Sequence, residues 1–102
     1  MNTTAPRDMT WQEIRGGLSG TRESVYFWML HHGPATTTQI MEGTKIGLLT
    51  VRPRVSELCA WGFAECVGRE HREGIYRART ILDAQAIHED SRLEKQLNLK
   101  LN

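Results

Sequence analysis

The sequence predicts a mostly helical α+β domain: a three-helix core, a two-stranded β-hairpin after the third helix, and flanking helices at both ends. Three observations carry this reading. Threonines stand ahead of successive apolar stretches that close on glycine, the punctuation of short helices. Two runs rich in β-formers, "FAECV" and "IYRAR", enclose the polar, glycine-bounded "GREHREG", as a hairpin with a seven-residue loop would. A chain of 102 residues, 39% hydrophobic and 25% charged, suits one compact globular domain.

Residues 1–9 have no apolar pattern and contain Pro6, so they are predicted to be a flexible arm. Thr10 followed three residues later by Glu13 fits a capping box that starts a short helix over Trp11 to Arg15, stopped by Gly16-Gly17. A longer helix follows in "SGTRESVYFWMLHHG", with Ser19 or Thr21 as cap and Gly33-Pro34 as terminator. Its periodicity puts Val25, Trp28 and Met29 on one face with Leu30 beside them. One face cannot bury all of Tyr26, Phe27 and Trp28, so some of them meet another element, a partner or solvent. Thr36 or Thr37 caps a short second core helix that ends at Gly43 and is held by packing on Ile40 and Met41.

The third core helix is predicted to begin in "TVRPRVSEL", with Thr50 as N-cap and Pro53 as its third residue. A proline in the first turn forfeits little, because those amides have no intrahelical partner. In this register Val51, Val55, Leu58 and Cys59 face the core, Arg52, Pro53, Ser56 and Glu57 face outward, and Arg54 lies at the flank. Trp61-Gly62 ends the helix. In the second hairpin strand Arg77 and Arg79 share a face, opposite Tyr76 and Ala78. The helical domain and hairpin occupy 10–82. The tail, 83–102, aligns Leu93, Leu97 and Leu101 on one stripe that Ala86 and Ile87 extend; it either packs on its own domain or pairs with a second copy.

Several function classes are disfavoured. No apolar run approaches the ~20 residues of a membrane span, and "MNTTAPRD" has no hydrophobic segment behind a basic head, so no membrane partner or secretion signal is expected and the cytoplasm is the default. Cys59 and Cys66 are expected to be reduced, buried thiols, and neither they nor His31-His32 have zinc-ligand spacing, so no metal or other cofactor is expected. The histidines are placed instead at a helix C-terminus, against its dipole. No phosphate loop, G-x-S-x-G or H-E-x-x-H motif is present, which argues against an enzyme. The formal net charge is only +1, but residues 50–79 carry six arginines against four glutamates, while 1–49 carry four basic and four acidic side chains.

The stretch "GPATTTQIMEGTKIGLLTVRPRVSELCAWGFAECVGREHREGIYRA" resembles the winged helix-turn-helix family of bacterial and phage or prophage regulators. The shared features are a helix ending in Gly-Pro, a Thr-initiated second helix, and a third helix of the form T-V-x-x-R-[IVL]-x-E-L. A Trp-Gly-Phe step into the wing follows, then a strand ending in tyrosine-arginine. The resemblance covers about residues 21–79. It implies sequence-specific binding of double-stranded DNA and transcription regulation, with the helix at about 50–61 in the major groove and the 68–74 wing on backbone or minor groove.

That resemblance places Thr50, Arg52, Pro53, Arg54 and Ser56 at recognition positions and Arg69, His71 and Arg72 at the wing tip. The physical chemistry agrees: a helix N-terminus favours phosphate, and arginine can grip guanine through two acceptors. Thr36, Thr37 and Thr38 can donate hydroxyls to backbone phosphates, and Lys45 in the turn adds a charge. The alternative for each arginine is a solvated side chain or a pair with a neighbouring glutamate, and Glu65, Glu70 and Glu73 weaken the phosphate case. With so few uncompensated charges, a homodimer is expected to supply the rest. The alternative function is a winged-helix module that binds a protein partner, an adaptor or a phage inhibitor of a host complex, without DNA.

Overall fold

The computed structural model describes residues 10–90. The arm over 1–9 and the leucine stripe at Leu93, Leu97 and Leu101 lie outside the described residues.

α1, Trp11–Gly16, is capped as expected: Thr10 Oγ1 accepts the Glu13 N–H at 3.2 Å. α2, Gly20–His32, ends at Gly33, whose φ of 82° and ψ of −167° suit glycine. Its buried side chains are Val25, Tyr26 and Met29. This corrects the expected face, which held Trp28 and Leu30 rather than Tyr26. The tyrosine goes inside because its hydroxyl donates to the Arg79 carbonyl at 2.6 Å, leaving no polar atom stranded. Trp28 lies across Gly43, where a Cβ would come within 2.3 Å of the indole, and stacks on His32. Phe27 and Leu30 remain exposed. His31 and His32, in the last turn of α2, reach the Phe27 and Trp28 carbonyls one turn back through their Nδ1 atoms, at 2.7 and 2.9 Å.

β1, Ala35–Thr36, runs directly into α3, Thr37–Thr44. Thr36 forms a full capping box with Gln39. The helix passes through Gly43, its expected end, and stops at Lys45 in the left-handed region, φ 63°.

α4, Leu48–Ala60, corrects the predicted start. Its N-cap is Gly47, not Thr50, and the Gly47 carbonyl accepts the N–H groups of Thr50 and Val51 at 2.9 Å each. Pro53 is therefore the sixth helical residue, in the second turn, not the third. The earlier start half-buries Leu48 on the stripe continued by Val51, Val55 and Leu58. The proline forgoes the bond that the Leu49 carbonyl would accept, at an edge so open that the Leu49 side chain is 88% exposed and solvent can take that bond's place. Glu57, expected outside, is 2% exposed. The helix closes with Gly62 at φ 87°, its N–H on the Cys59 carbonyl and that of Phe63 on the Leu58 carbonyl, a Schellman arrangement.

β2, Ala64–Glu70, and β3, Glu73–Ala78, form the hairpin, with a bulge between Cys66 and Gly68. The loop is two residues, not seven: His71 and Arg72 both adopt positive φ, 49° and 69°. That handedness matches strand twist, so pairing continues through Arg69↔Gly74 and Glu70↔Glu73. The sheet has three strands, in order β1-β3-β2; Ala35↔Tyr76 and Thr36↔Ile75 add a pairing not anticipated. Arg77 and Arg79 do share a face, and both bind the Glu65 carboxylate.

A further helical run, α5, covers 81–90, with Thr80 Oγ1 accepting the Asp83 N–H at 3.1 Å. Ala84 and His88 are its buried residues, while Ala86 and Ile87 are exposed, so the stripe is rotated from the one expected. Trp11 packs against both Phe63 and His88, which seats α1 and α5 on one side of the core. Cys59 is half-buried and its thiol is pushed up to about 11, by burial first and then by the neighbouring Cys66. Cys66 is exposed, against expectation, on the edge strand β2 just before the bulge. Among the described residues no helix is long and apolar enough to cross a membrane.

Candidate nucleic-acid interface

The outward face of α4 is set by what lies beneath it. With Val51, Val55 and Leu58 in the core, helical geometry turns Arg52 and Ser56 to solvent, four positions apart on one side. Arg54 takes another course. Its Nε lies 2.7 Å from Glu57 Oε1, and Arg22 reaches the same oxygen from α2 at 3.0 Å. Arg22 also lies over the Trp61 ring, 4.4 Å from its centroid. Two guanidinium groups thus compensate one buried carboxylate and tie α2 to α4. Of the two arginines bracketing Pro53, one faces outward and one is engaged with the fold.

Arg52 and Ser56 border an open cleft of about 320 Å³ between α4, α3 and the hairpin, with Val55 at its floor. Its other walls are Thr37, Arg72, Glu73, Gly74 and Tyr76. The Tyr76 ring lies close over Gly74, where a Cβ would come within 2.7 Å of the hydroxyl. Of the side chains singled out in the sequence, the fold therefore brings together Thr37, Arg52, Ser56 and Arg72. Arg69 and His71 are exposed on the hairpin beside it, and Arg69 Nη2 bonds the Arg72 carbonyl at 3.3 Å. Thr50 and Pro53 are half-buried on α4, and Lys45 is exposed at the end of α3, outside the cleft walls.

The threonines of α3 are already engaged. Thr36 is the buried cap. Thr37 and Thr38 donate their hydroxyls to Glu73 Oε1 at 3.0 and 2.7 Å, and the Thr38 N–H reaches the same oxygen at 3.3 Å. The Thr38 hydroxyl, chiefly, holds the Glu73 carboxyl below the usual carboxylate range, with a lesser contribution from Arg52. Glu65 is likewise held low: partial desolvation opposes ionisation, but the bonds from Arg79 and Arg77 outweigh it. The Arg54–Glu57 pair, three residues apart on one helix, is the local ion pair that the sequence offered as the alternative for the α4 arginines. Nothing local announces the other contacts, because Arg22 lies 35 residues from Glu57, and Thr37 and Thr38 lie 36 and 35 residues from Glu73.

Among the described residues no three His, Cys, Asp or Glu side chains gather as a metal site. No protein-family model matches the chain, and no curated protein does. The fold matches the homodimeric winged helix-turn-helix DNA-binding domain of a possible ArsR-family transcriptional regulator from Mycobacterium bovis, solved in solution. That match has a TM-score of 0.56 and 19% sequence identity, covering 87% of this chain and 81% of that one. The likeness is one of fold: this chain is a winged helix-turn-helix, with α3 and α4 as the helix pair and β2–β3 as the wing.

Proposed function

We propose that the chain binds double-stranded DNA as a cytoplasmic homodimer and regulates transcription. In this reading α4 enters the major groove and the wing at 68–74 rests on adjacent backbone or minor groove. The observation that carries it is the convergence of Arg52 and Ser56 on the outward face of α4 with Arg72 on the wing, around one open cleft. The α4 helix is ~20 Å long, and the major groove admits such a rod. Arg52 then reads base edges, Ser56 and Thr50 flank it, Pro53 keeps the surface low, and Arg69, His71, Arg72 and Lys45 approach phosphates.

Charge pairing strengthens this reading beyond the net charge. Glu57 is taken by Arg22 and Arg54, and Glu65 by Arg77 and Arg79. The charges left on α4 and the wing are Arg52, Arg69 and Arg72 against Glu70 and the half-buried Glu73. A few phosphate contacts per subunit give weak monomeric affinity, which a second copy on a two-fold site raises. The homodimeric state of the structural neighbour supports this arrangement.

Mobility shifts on genomic fragments test the proposal. The parent should retard DNA at low salt, and Arg52→Ala with Arg72→Ala should lose about tenfold or more in affinity. Equal shifts by parent and double variant, or no shift at low salt, would refute it, and the same surface would then be assigned to a protein partner. Light scattering should give twice the 11.7 kDa chain mass; a monomer at working concentration refutes the dimer.

A further inference from the structure

We propose that Glu73 is a built-in substitute for a DNA phosphate: its carboxylate occupies the donors at the start of α3 and withholds Thr37 and Thr38 from the nucleic acid. This rests on the duplex-binding reading above and adds to it a control on how the backbone is gripped.

Three donors, the Thr37 and Thr38 hydroxyls and the Thr38 amide, converge on one oxygen, Glu73 Oε1. The capping box of Thr36 and Gln39 takes up only their own two amides, so Glu73 closes the open Thr38 amide and gathers two threonine hydroxyls besides. The carboxylate arrives from the wing, at the first residue of β3. It is an additional anion on a donor set of the kind that binds phosphate. Arg52 and Arg72 border the same cleft, so the group sits in a positively charged surround. A phosphate approaching this point meets a negative charge and donors already in use. Both effects lower sequence-independent affinity, while the base-reading face of α4 stays open. The contact therefore shifts the balance of binding from backbone toward bases.

The test compares Glu73→Gln with Glu70→Gln. Each variant removes one negative charge from the wing, but Glu70 makes no bond to α3; His71 Nε2 lies 3.8 Å from its carboxylate. Glutamine at 73 offers the threonines only a neutral, weaker acceptor, which a phosphate anion can displace, and a thermal melt checks that the fold is retained. On a labelled duplex of random sequence, Glu73→Gln should bind about tenfold tighter than Glu70→Gln, the worth of one charge-assisted bond. Its plot of log affinity against log salt should be steeper by about 0.9, one phosphate. Equal gains in the two variants would mean a simple charge effect and overturn the proposal.

A second readout needs no DNA. In Glu73→Gln the Thr37 and Thr38 amide resonances should move saturably with inorganic phosphate, and in the parent they should stay still. Saturable movement in the parent, or none in the variant, overturns the proposal. If no protein binds duplex at low salt while the amide result holds, the DNA reading fails and the seat stands.

Discussion

Glu57 shows how one side chain can shape the outward face of α4 without lying on it. Its carboxylate is 2% exposed and holds two arginines from different helices, so it anchors the middle of α4 from below. Glu57→Ala would take away the carboxylate that Arg22 and Arg54 both bind. Since both guanidinium groups retain 18% exposure and can recover some hydration, the cost should be roughly 2–3 kcal/mol, below that of a fully buried orphan charge. Urea unfolding measures it. A loss under about 0.5 kcal/mol, the range of an ordinary surface change, would show that the pair contributes little.

At the scale of elements, local chemistry decided some boundaries and distant chemistry the rest. Thr36→Ala should destabilise the chain by about 1 kcal/mol, because the capping box is lost at α3. Thr36→Ser should stay close to the parent, and a melt showing alanine and serine alike would refute the cap's role. Caps at Thr10 and Thr36 were legible because donor and acceptor lie three residues apart. The start of α4 was not: Gly47 offers no side-chain cap, and Pro53 draws attention to the wrong turn. β1 is two residues long and exists only because Tyr76 and Ile75 lie alongside. The tight turn at His71-Arg72 lacks the glycine or asparagine that usually marks one. Of the candidate interface, periodicity located Arg52 and Ser56 and the hairpin located Arg72. That Arg22 also reaches Glu57, and which carboxylate reaches Thr38, depended on contacts that no linear pattern displays.

For the whole molecule, α5 is continuous with the core rather than an appendage. Ala84 is fully buried, and His88 packs against Trp11. Truncation after residue 80 should therefore lower the melting temperature and shift tryptophan emission to longer wavelength as Trp11 is uncovered. Truncation after residue 90 keeps these contacts and should leave the melting temperature higher than the shorter product. Equal melting temperatures would refute the assignment of 81–90 to the core.

The short β1 ladder carries a mechanical implication. Main-chain bonds join Ala35 and Thr36 to β3, and the very next residue opens α3. The projecting ribbon is thus bolted at the middle of β3 to the scaffold bearing α4, instead of hanging from two flexible joints. Helix and ribbon form one stiff die whose spacing is set before any encounter. Under the proposed duplex binding, little ordering is left to do on contact, and the groove would conform to the protein rather than the reverse.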